Sequence, residues 1–393
     1  MLLGLQHIAP AQVRLTAEEA KTEVGDSPAA PGPLATGLSA SLTPQDVRAA
    51  MRKVADWQLK RITNTTSRDW TFATLYLGLL ASSETLQDAR YRSAVLQIAS
   101  KNEWKLGPRE VHADDQAIGQ VYLQLYKLDP RPERIEPLSK QFDAILQHPQ
   151  SSTMQPIWWW CDALFMAPPV WAELARVTHD DRYLDYMDAN WHETAQLLWD
   201  SEHQLFFRDR SYFDKREKNG ARVFWSRGNG WVMGGLVSVL ENMPAKDPRR
   251  GFYEGKFRQM AASVAAIQGT DGLWRPGLLD AANYANPEIS GSAFFVYALA
   301  WGIEHKLLDE SKYHGVVAFG WKGLLSHIYA DGRLGSIQPV GEAPGAYTAG
   351  ASYVFGTGAF LLAGSEVERL AEVEQMDGFP SDTNQKAHPL GSR

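Results

Sequence analysis

The chain has 393 residues, of which 44% are apolar and 22% are charged, and its formal net charge is −7 at pH 7. This composition suits one large globular domain or two smaller ones and provides no basic surface for nucleic acid. No apolar run approaches the roughly 20 residues that a membrane-spanning helix needs. The single cysteine, Cys161, excludes an internal disulfide and a zinc site built of cysteines. We therefore expect a water-soluble protein with a small or uncharged partner, and neither a nucleic-acid nor a membrane partner.

The first 42 residues are predicted to lie outside the folded domain. The opening MLLGLQHIAPAQ has no basic region, and Gln6 and His7 interrupt its apolar run, so no secretory signal is readable there. Residues 24–43 are mostly small residues with proline and glycine, and they contain almost no large apolar groups. We expect residues 1–42 to form a flexible arm that the fold does not need, and we favour a cytoplasmic over a periplasmic location.

Helical periodicity recurs from residue 43 onward, whereas signals for strands are scarce. Thr43 is a favourable N-cap, and Pro44 follows it at the first helical position. In chain order, the predicted helices span residues 44–64, 69–84, 86–103, 115–128, 132–148, 160–178, 180–199, 229–242, 248–268, 290–306, 310–329 and 355–371. The predicted domain covers residues 43–375, and a tail of residues 376–393 follows it.

The predicted helices alternate between two types. Some, such as those of residues 70–82 and 290–303, are apolar on nearly every side and rich in small residues, which suits helices packed on all faces. Amphipathic helices follow them, and the pair recurs about every fifty residues. This alternation predicts an all-α fold, an (α/α)6 barrel of six helical hairpins. The alternative is an open α-solenoid, which the long insertions at residues 200–228 and 269–289 suit less well.

Polar residues gather at the starts of the predicted inner helices, which would meet at one end of such a barrel. They are Asp69, Asp114, Asp115, Asp162, Arg227, Asn229, Glu288, Ser290 and Tyr353. Helix capping explains Asp69, Asp114 and Ser290 at least as well as chemistry does, because Asp and Ser are preferred N-caps. For Asp115 neither interpretation has the advantage, since Asp114 can cap while its neighbour points elsewhere.

The segment WWWCDALFMAPP, residues 158–169, places one carboxyl group, Asp162, among tryptophans and other apolar residues. A buried carboxylate without partners costs free energy, which favours a functional role for Asp162 over a capping role. Pro168 and Pro169 have no backbone N–H, so a regular helix through them would leave two carbonyl groups without donors. We therefore predict a kink or a late helix start near Asp162, an irregularity that often marks a site.

A second candidate segment is FWSRGNGWVMGG, residues 224–235. Arg227 offers a planar fork for a carboxylate, and Trp225 and Trp231 offer flat apolar faces for a sugar ring. A glycine-rich turn with tryptophans in the core explains the same residues equally well. The segment lacks the Lys-Ser/Thr of a phosphate-binding loop, and the histidines between residues 179 and 203 show no HExxH spacing, so neither a nucleotide nor a metal is predicted.

Five segments resemble, in order and spacing, the unsaturated uronyl hydrolases of glycoside hydrolase families 88 and 105. They are WWWCDALFMAPPVWAELA, FWSRGNGWVMGGL, DGLWRPGLLD, EISGSAFFVYALAWGI and YVFGTGAFLLAGSE, within roughly residues 45–370. The resemblance implies an (α/α)6 barrel that removes the unsaturated uronic acid left by polysaccharide lyases at the non-reducing end of oligosaccharides. It implies neither a metal nor an organic cofactor.

The resemblance assigns two carboxyl groups to the chemistry. Asp162 matches the family's catalytic acid and base, and Asp115, in DDQAIGQ, matches its second aspartate. In the family's scheme the acid protonates C4 of the unsaturated ring, water adds at C5, and the aglycone is released. The acid must be protonated at rest, and burial together with an ionised Asp115 nearby would raise the pKa of Asp162 accordingly.

The predicted substrate contacts come from three segments of the chain. They are Trp159, Arg208, Trp225, Arg227 and Trp231. Arg208 or Asp209 stands near the position where family-105 enzymes often carry a histidine, so the chain departs from the family there.

Two other functions remain open. One is an ordinary inverting glycosidase with two separated carboxyl groups. The other is a catalytically silent carbohydrate-binding protein, which the presence of Asp162 disfavours.

Overall fold

The computed structural model describes residues 25–62, 64–148 and 155–376, and helices form most of its regular structure. The helices are α1 (Pro44–Arg61), α2 (Trp70–Thr85), α3 (Ala89–Lys101), α4 (Ala113–Gln116), α5 (Ile118–Leu128), α6 (Glu136–Gln147), α7 (Ala163–Met166), α8 (Pro168–Thr178), α9 (Asp181–Leu198), α10 (Ser226–Asn242), α11 (Arg250–Ala266), α12 (Ile289–Glu304), α13 (Glu310–Leu325) and α14 (Val354–Met376). The described strands are β1 (Gly25–Asp26), β2 (Trp199–Asp200), β3 (Leu205–Phe206) and β4 (Ser352–Tyr353). Among the described helices, none combines the length and apolar character needed to cross a membrane.

The helices form two concentric rings. In the inner ring, α2, α5, α8, α10, α12 and α14 each pack against the next, and α14 returns to pack against α2. The outer helices α1, α3, α9, α11 and α13 pack against these inner helices, and α6 packs against α9. Because the inner ring closes on itself, the predicted (α/α)6 barrel is confirmed and the open solenoid is excluded.

Small residues allow the inner helices to approach closely where the ring closes. A Cβ atom on Gly358 of α14 would lie 2.2 Å from the carbonyl oxygen of Thr74, and one on Gly78 of α2 would lie 2.6 Å from the carbonyl oxygen of Gly358. Real Cβ atoms do not come that close to a backbone oxygen. The glycines of α2 and α14 are therefore a requirement of ring closure, which explains why the inner helices are rich in small residues.

Two inner helices are broken near their starts, so that α4 precedes α5 and α7 precedes α8. The second break falls where the proline pair predicted a kink, because α7 ends at Met166 and α8 begins at Pro168. One carbonyl group that the prolines leave without a helical donor is that of Phe165, and it accepts a hydrogen bond from Gln120 Nε2 at 2.8 Å. A side chain of α5 thus stabilises the break and holds the short helix α7 in place.

Residues 25–42 pack against the barrel, so the expectation of a flexible arm over residues 1–42 is wrong for this part; residues 1–24 lie outside the described residues. Strand β1 pairs antiparallel with β4. Farther along, Ala35 N donates to Ile328 O at 2.8 Å, Ala330 N donates to Pro33 O at 2.9 Å, and Arg333 donates to Pro31 O. Composition misled here because backbone hydrogen bonds, which any residue can make, supply much of the docking.

We predict that a chain beginning at Thr43 unfolds at a temperature at least about 5 °C below that of a chain beginning at Gly25. The shorter chain loses several backbone hydrogen bonds to the loop after α13, each worth about 1 kcal/mol. Circular dichroism melting curves of the two truncated chains measure the difference. Coincident curves would show that the docked arm adds nothing to stability.

Candidate active site

The starts of the inner helices meet at one end of the barrel, here called the mouth. Its polar groups are Asp69, Asp114, Asp162, Arg227, Glu288 and Tyr353. Trp231 forms the floor of the mouth, with ring centroids 5.7 Å from Trp70, 4.8 Å from Phe165 and 4.6 Å from Phe294. These contacts join helices α2, α7, α10 and α12. Trp231 is fully buried, so its ring supports the mouth from beneath.

Asp162 lies directly before α7 and is only 9% exposed. Its side chain accepts no capping hydrogen bond from α7, so the capping interpretation does not hold. The Cys161 thiol is 3.4 Å from Asp162 Oδ2, and Arg208 Nε is 3.8 Å from the same oxygen. Burial raises the pKa of Asp162 above its usual range, although the charges of Arg208 and Arg227 oppose this shift. The site therefore has a buried carboxyl group that can hold a proton.

Asp115, the predicted second carboxyl group, is held by Arg109. Its Oδ2 accepts hydrogen bonds from Arg109 N at 2.6 Å and Arg109 Nε at 3.0 Å, and its Oδ1 accepts one from Nη2 at 2.7 Å. A Cβ atom on Gly107 would lie 2.5 Å from Asp115 Cβ, so the side chain also packs against a neighbouring turn. The predicted catalytic role of Asp115 stays a prediction that this arrangement does not favour.

Asp114, the residue before Asp115, is the carboxyl group whose pKa is affected by the charge of Asp162. Burial raises the pKa of Asp114 to about 7, and the negative charge of Asp162 adds to the shift. Asp114 lies in the first turn of α4, where no side chain caps the helix. The sequence presented two adjacent aspartates, and the short helix α4 decides which of them interacts with Asp162.

Trp159 and Arg208 are the predicted substrate contacts that keep some exposure at the mouth, and the Arg208 side chain is 13% exposed. Arg208 Nη1 donates to Asp209 Oδ2 at 2.6 Å, and the guanidinium carbon lies 5.4 Å from the centre of the Trp159 ring. Of the three consecutive tryptophans only Trp159 is substantially exposed, at 36%. Cys161 N donates to Arg208 O at 2.9 Å, so the loop after β3 is tied to the segment that carries Asp162.

Arg227 and Trp225, also predicted to contact substrate, are buried, and both donate hydrogen bonds to other parts of the protein. Arg227 Nη1 donates to Gln338 O at 2.6 Å and Nη2 donates to Pro339 O at 2.8 Å. Trp225 Nε1 donates to Gln338 Oε1 at 3.0 Å. Both side chains therefore fix the loop before β4 to the start of α10. Their contact with substrate, like that of buried Trp231, stays a prediction, and the contacts described here indicate a supporting role.

His112 is a residue of the mouth that the sequence analysis did not single out. Its ring centroid lies 5.0 Å from that of Trp160, and its Nδ1 lies 3.8 Å from Asp114 Oδ2. Burial lowers the pKa of His112 to about 4, so the ring is neutral near pH 7. The signal in the sequence was its position two residues before Asp114 in HADD, because that spacing places an imidazole close to a candidate acid.

Within the described residues, one group of carboxylate and imidazole side chains is compact enough to bind a metal ion. It consists of Asp200, Glu202 and His203. Arg222 forms an ion pair with Asp200 and lies 3.5 Å from Glu202, so a guanidinium already supplies the positive charge. Asp200 Oδ1 also accepts hydrogen bonds from the backbone N–H groups of Glu202 and His203. These contacts are those of a structural ion-pair cluster.

A cavity of about 320 Å³ lies at the opposite end of the barrel, between the C-terminal ends of the inner helices. Glu173, Glu241 and Glu366 contribute carboxyl groups to its wall. Their partners are Lys127 at 2.7 Å, Trp301 Nε1 at 3.0 Å and Arg369 at 2.8 Å, respectively. The cavity therefore has an acidic, paired wall and includes none of the residues proposed for the chemistry.

Comparison with known proteins identifies the family. Residues 45–371 match the model of Glycosyl Hydrolase Family 88. The chain belongs to this family. It is 40% identical over 349 residues to an unsaturated 3S-rhamnoglycuronyl hydrolase of Formosa agariphila, covering 84% of this chain and 93% of that protein. A protein of the same name from an Alteromonas species is 33% identical over 368 residues, covering 85% and 89%.

The family-88 fold is also found in a solved structure. A family-88 glycosyl hydrolase from Bacteroides vulgatus superposes with a TM-score of 0.78 at 30% sequence identity, covering 84% of this chain and 99% of that one. The resemblance that the five segments indicated is therefore confirmed. The chain is a family-88 glycoside hydrolase, and the mouth of its barrel is the candidate active site.

We predict that Asp162→Asn lowers kcat by about 10⁴-fold or more while leaving the fold intact, because the amide can neither deliver nor accept a proton. Steady-state kinetics, with circular dichroism as the check on folding, measure the effect. Turnover close to that of the wild type would make Asp162 a structural residue.

Asp114→Asn should reduce activity more than the matched variant Asp115→Asn. The negative charge of Asp162 raises the pKa of Asp114. Because the repulsion between two carboxylates is mutual, Asp114→Asn should lower the pKa of Asp162 and move the basic limb of the kcat profile to lower pH. Asp115→Asn only loosens the pair with Arg109, and it should leave the limb in place. A shift in the Asp115 variant alone would reverse the two roles.

Proposed function

We propose that this enzyme removes a 4,5-unsaturated uronic acid from the non-reducing end of an oligosaccharide by hydrating the double bond of the sugar ring. The observation that carries the proposal is a buried, protonatable Asp162 that caps no helix, at the mouth of a family-88 barrel. The names of the two curated relatives, both unsaturated rhamnoglycuronyl hydrolases, support it.

The first step is protonation of the enol ether. The C4–C5 double bond donates its electron pair to the proton of Asp162, which forms a C4–H bond and leaves a cation shared between C5 and the ring oxygen. Asp162 becomes a carboxylate in this step, so its negative charge and the cation stabilise each other. A carboxyl group whose pKa is raised by burial is suited to this role because it keeps its proton to higher pH than a solvent-exposed aspartate does.

The second step returns the proton. The Asp162 carboxylate takes a proton from a water molecule as the water oxygen bonds to C5, which gives a hemiketal and restores the acid. The hemiketal opens by breaking the bond between C5 and the ring oxygen. The resulting hemiacetal at C1 then releases the aglycone as an alcohol, together with a 4-deoxy-5-keto sugar. One residue therefore serves as acid and as base, and the glycosidic carbon is never attacked directly.

The aglycone is proposed to be a rhamnose that carries a sulfate at O3. The support is the shared name of the two relatives, which specifies a 3S-rhamnoglycuronyl group, and their identity of 40% and 33% over most of this chain. Arg109, whose side chain is 56% exposed at the mouth, is a cation that a sulfate group could approach.

The test is to incubate the enzyme with lyase-generated oligosaccharides and to follow the ultraviolet absorbance of the conjugated double bond. We expect loss of absorbance with an unsaturated uronyl–rhamnose 3-sulfate substrate, slower loss with its desulfated form, and no reaction with a saturated control. Release of an intact uronic acid from the saturated control would instead support an ordinary inverting glycosidase. Equal rates with and without the sulfate would contradict the proposed aglycone alone.

A further inference from the structure

Arg208 keeps one buried guanidinium nitrogen without a partner beside the proposed acid. Its Nη1 donates a hydrogen bond to Asp209, but among the described residues its Nε has no hydrogen-bond acceptor. Nε lies 3.8 Å from Asp162 Oδ2, which is an ion-pair distance and too long for a hydrogen bond. A buried N–H group without an acceptor is costly, so this nitrogen is suited to an acceptor that a ligand brings.

The proposed substrate brings such an acceptor to this place. An unsaturated uronate carries a carboxylate on C5, next to the carbon that Asp162 protonates. When Asp162 lies within reach of C4, the carboxylate must therefore lie close to Asp162 as well. Arg208 Nε lies 3.8 Å from Asp162 Oδ2 and has no acceptor among the described residues, and a guanidinium fork matches the geometry of a carboxylate.

We propose that Arg208 binds the carboxylate of the unsaturated uronate, and that this transfer of Arg208 from Asp162 to the substrate converts Asp162 into the protonated acid. The proposal rests on the proposed function. In the free enzyme Arg208 neutralises part of the Asp162 charge and keeps the proton less firmly bound. With substrate bound, the carboxylate of the uronate and that of Asp162 compete for one guanidinium. Asp162 takes up a proton, which removes the repulsion between the two negative charges.

The charged and titratable groups around Asp162 agree with this direction. They are Arg208, Asp209 and Tyr212 from the region after β3, Arg227 from α10, Asp114 from α4, and the adjacent Cys161 thiol. Arg208 opposes the raised pKa of Asp162 more strongly than Arg227 does. Arg227 Nε also has no acceptor among the described residues, but both Nη atoms of Arg227 are bound to carbonyl groups of the loop before β4 and the side chain is fully buried. The Arg208 side chain is partly exposed, so it is the better placed of the two to change partner.

A purely structural role for the Arg208 side chain is not required by its surroundings. The hydrogen bond that ties its loop to the Asp162 segment is made by the backbone carbonyl, and substitution of the side chain leaves it intact. Asp209 remains held by Ser211 N, which donates to its Oδ1 at 2.7 Å. Arg208→Gln should therefore fold, and Arg210→Gln, an exposed arginine two residues away, is the matched control.

The kinetic test compares the pH profiles of kcat and kcat/KM. The basic limb of the kcat/KM profile reports the pKa of Asp162 in the free enzyme, and the basic limb of the kcat profile reports its pKa in the complex with substrate. In the wild type and in Arg210→Gln we expect the kcat limb to lie about 1 pH unit or more above the kcat/KM limb. In Arg208→Gln the kcat/KM limb should move to higher pH and the gap should close. Coincident limbs in the wild type would overturn the proposal.

A binding test separates this inference from the proposed function. In the inactive Asp162→Asn background, calorimetry compares an unsaturated uronyl disaccharide with its methyl ester, which lacks the negative charge. We expect the free acid to bind at least about 30-fold more tightly, and the preference to disappear when Arg208→Gln is added but not when Arg210→Gln is added. A preference that survives Arg208→Gln would overturn the role of Arg208, whereas absence of turnover in the wild type would overturn only the proposed function.

Discussion

A carboxylate at the start of a helix normally accepts backbone N–H groups, and the backbone of Asp162 prevents it from doing so. Asp69 and Glu288, which precede α2 and α12, have extended ψ angles of 148° and 103°, and their side chains cap those helices. Asp162 has φ −61° and ψ −30°, which is already helical, and makes no capping bond. Capping donors favour the ionised form of a carboxyl group, so their absence at Asp162 lets burial raise its pKa.

This backbone conformation depends on the break in the third inner helix. The proline pair ends α7 after a single turn, and Gln120 of α5 supplies the donor that Phe165 O lacks. Gly235 of α10 permits the approach from the other side, since a Cβ atom there would lie 2.1 Å from Leu164 O. The position of the acid is thus fixed by three neighbouring helices, and the partly exposed residues Arg208 and Trp159 complete the mouth around it.

The barrel and its proposed acid could be predicted because both leave patterns in the sequence. Alternating apolar and amphipathic helices indicated two rings, and a carboxyl group beside prolines and tryptophans indicated Asp162. The roles of the groups around Asp162 were harder to predict. Adjacent residues such as Asp114 and Asp115 look alike in the sequence, and the short helix α4 determines which of the two side chains faces Asp162. Arg227 was expected to meet substrate, but the carbonyl groups that bind it belong to a loop more than a hundred residues away in sequence. The docking of residues 25–42 was missed because backbone pairing leaves no pattern of large side chains.

The polarity of the inner ring explains why an anionic sugar should enter at the mouth rather than at the opposite cavity. The N-terminal ends of the inner helices carry partial positive charge, and Arg109, Arg208 and Arg227 lie at the same end. The other end combines the negative ends of the helices with Glu173, Glu241 and Glu366, whose raised pKa values reflect burial that disfavours further negative charge. At the mouth the helix N-termini and the three arginines attract a uronate or sulfate, although a carboxylate lies beside each of these arginines. At the opposite end an anion meets helix C-termini and three buried carboxyl groups. The same attraction would ionise Asp162, so a working acid at the mouth has to be buried deeply enough for desolvation to outweigh it.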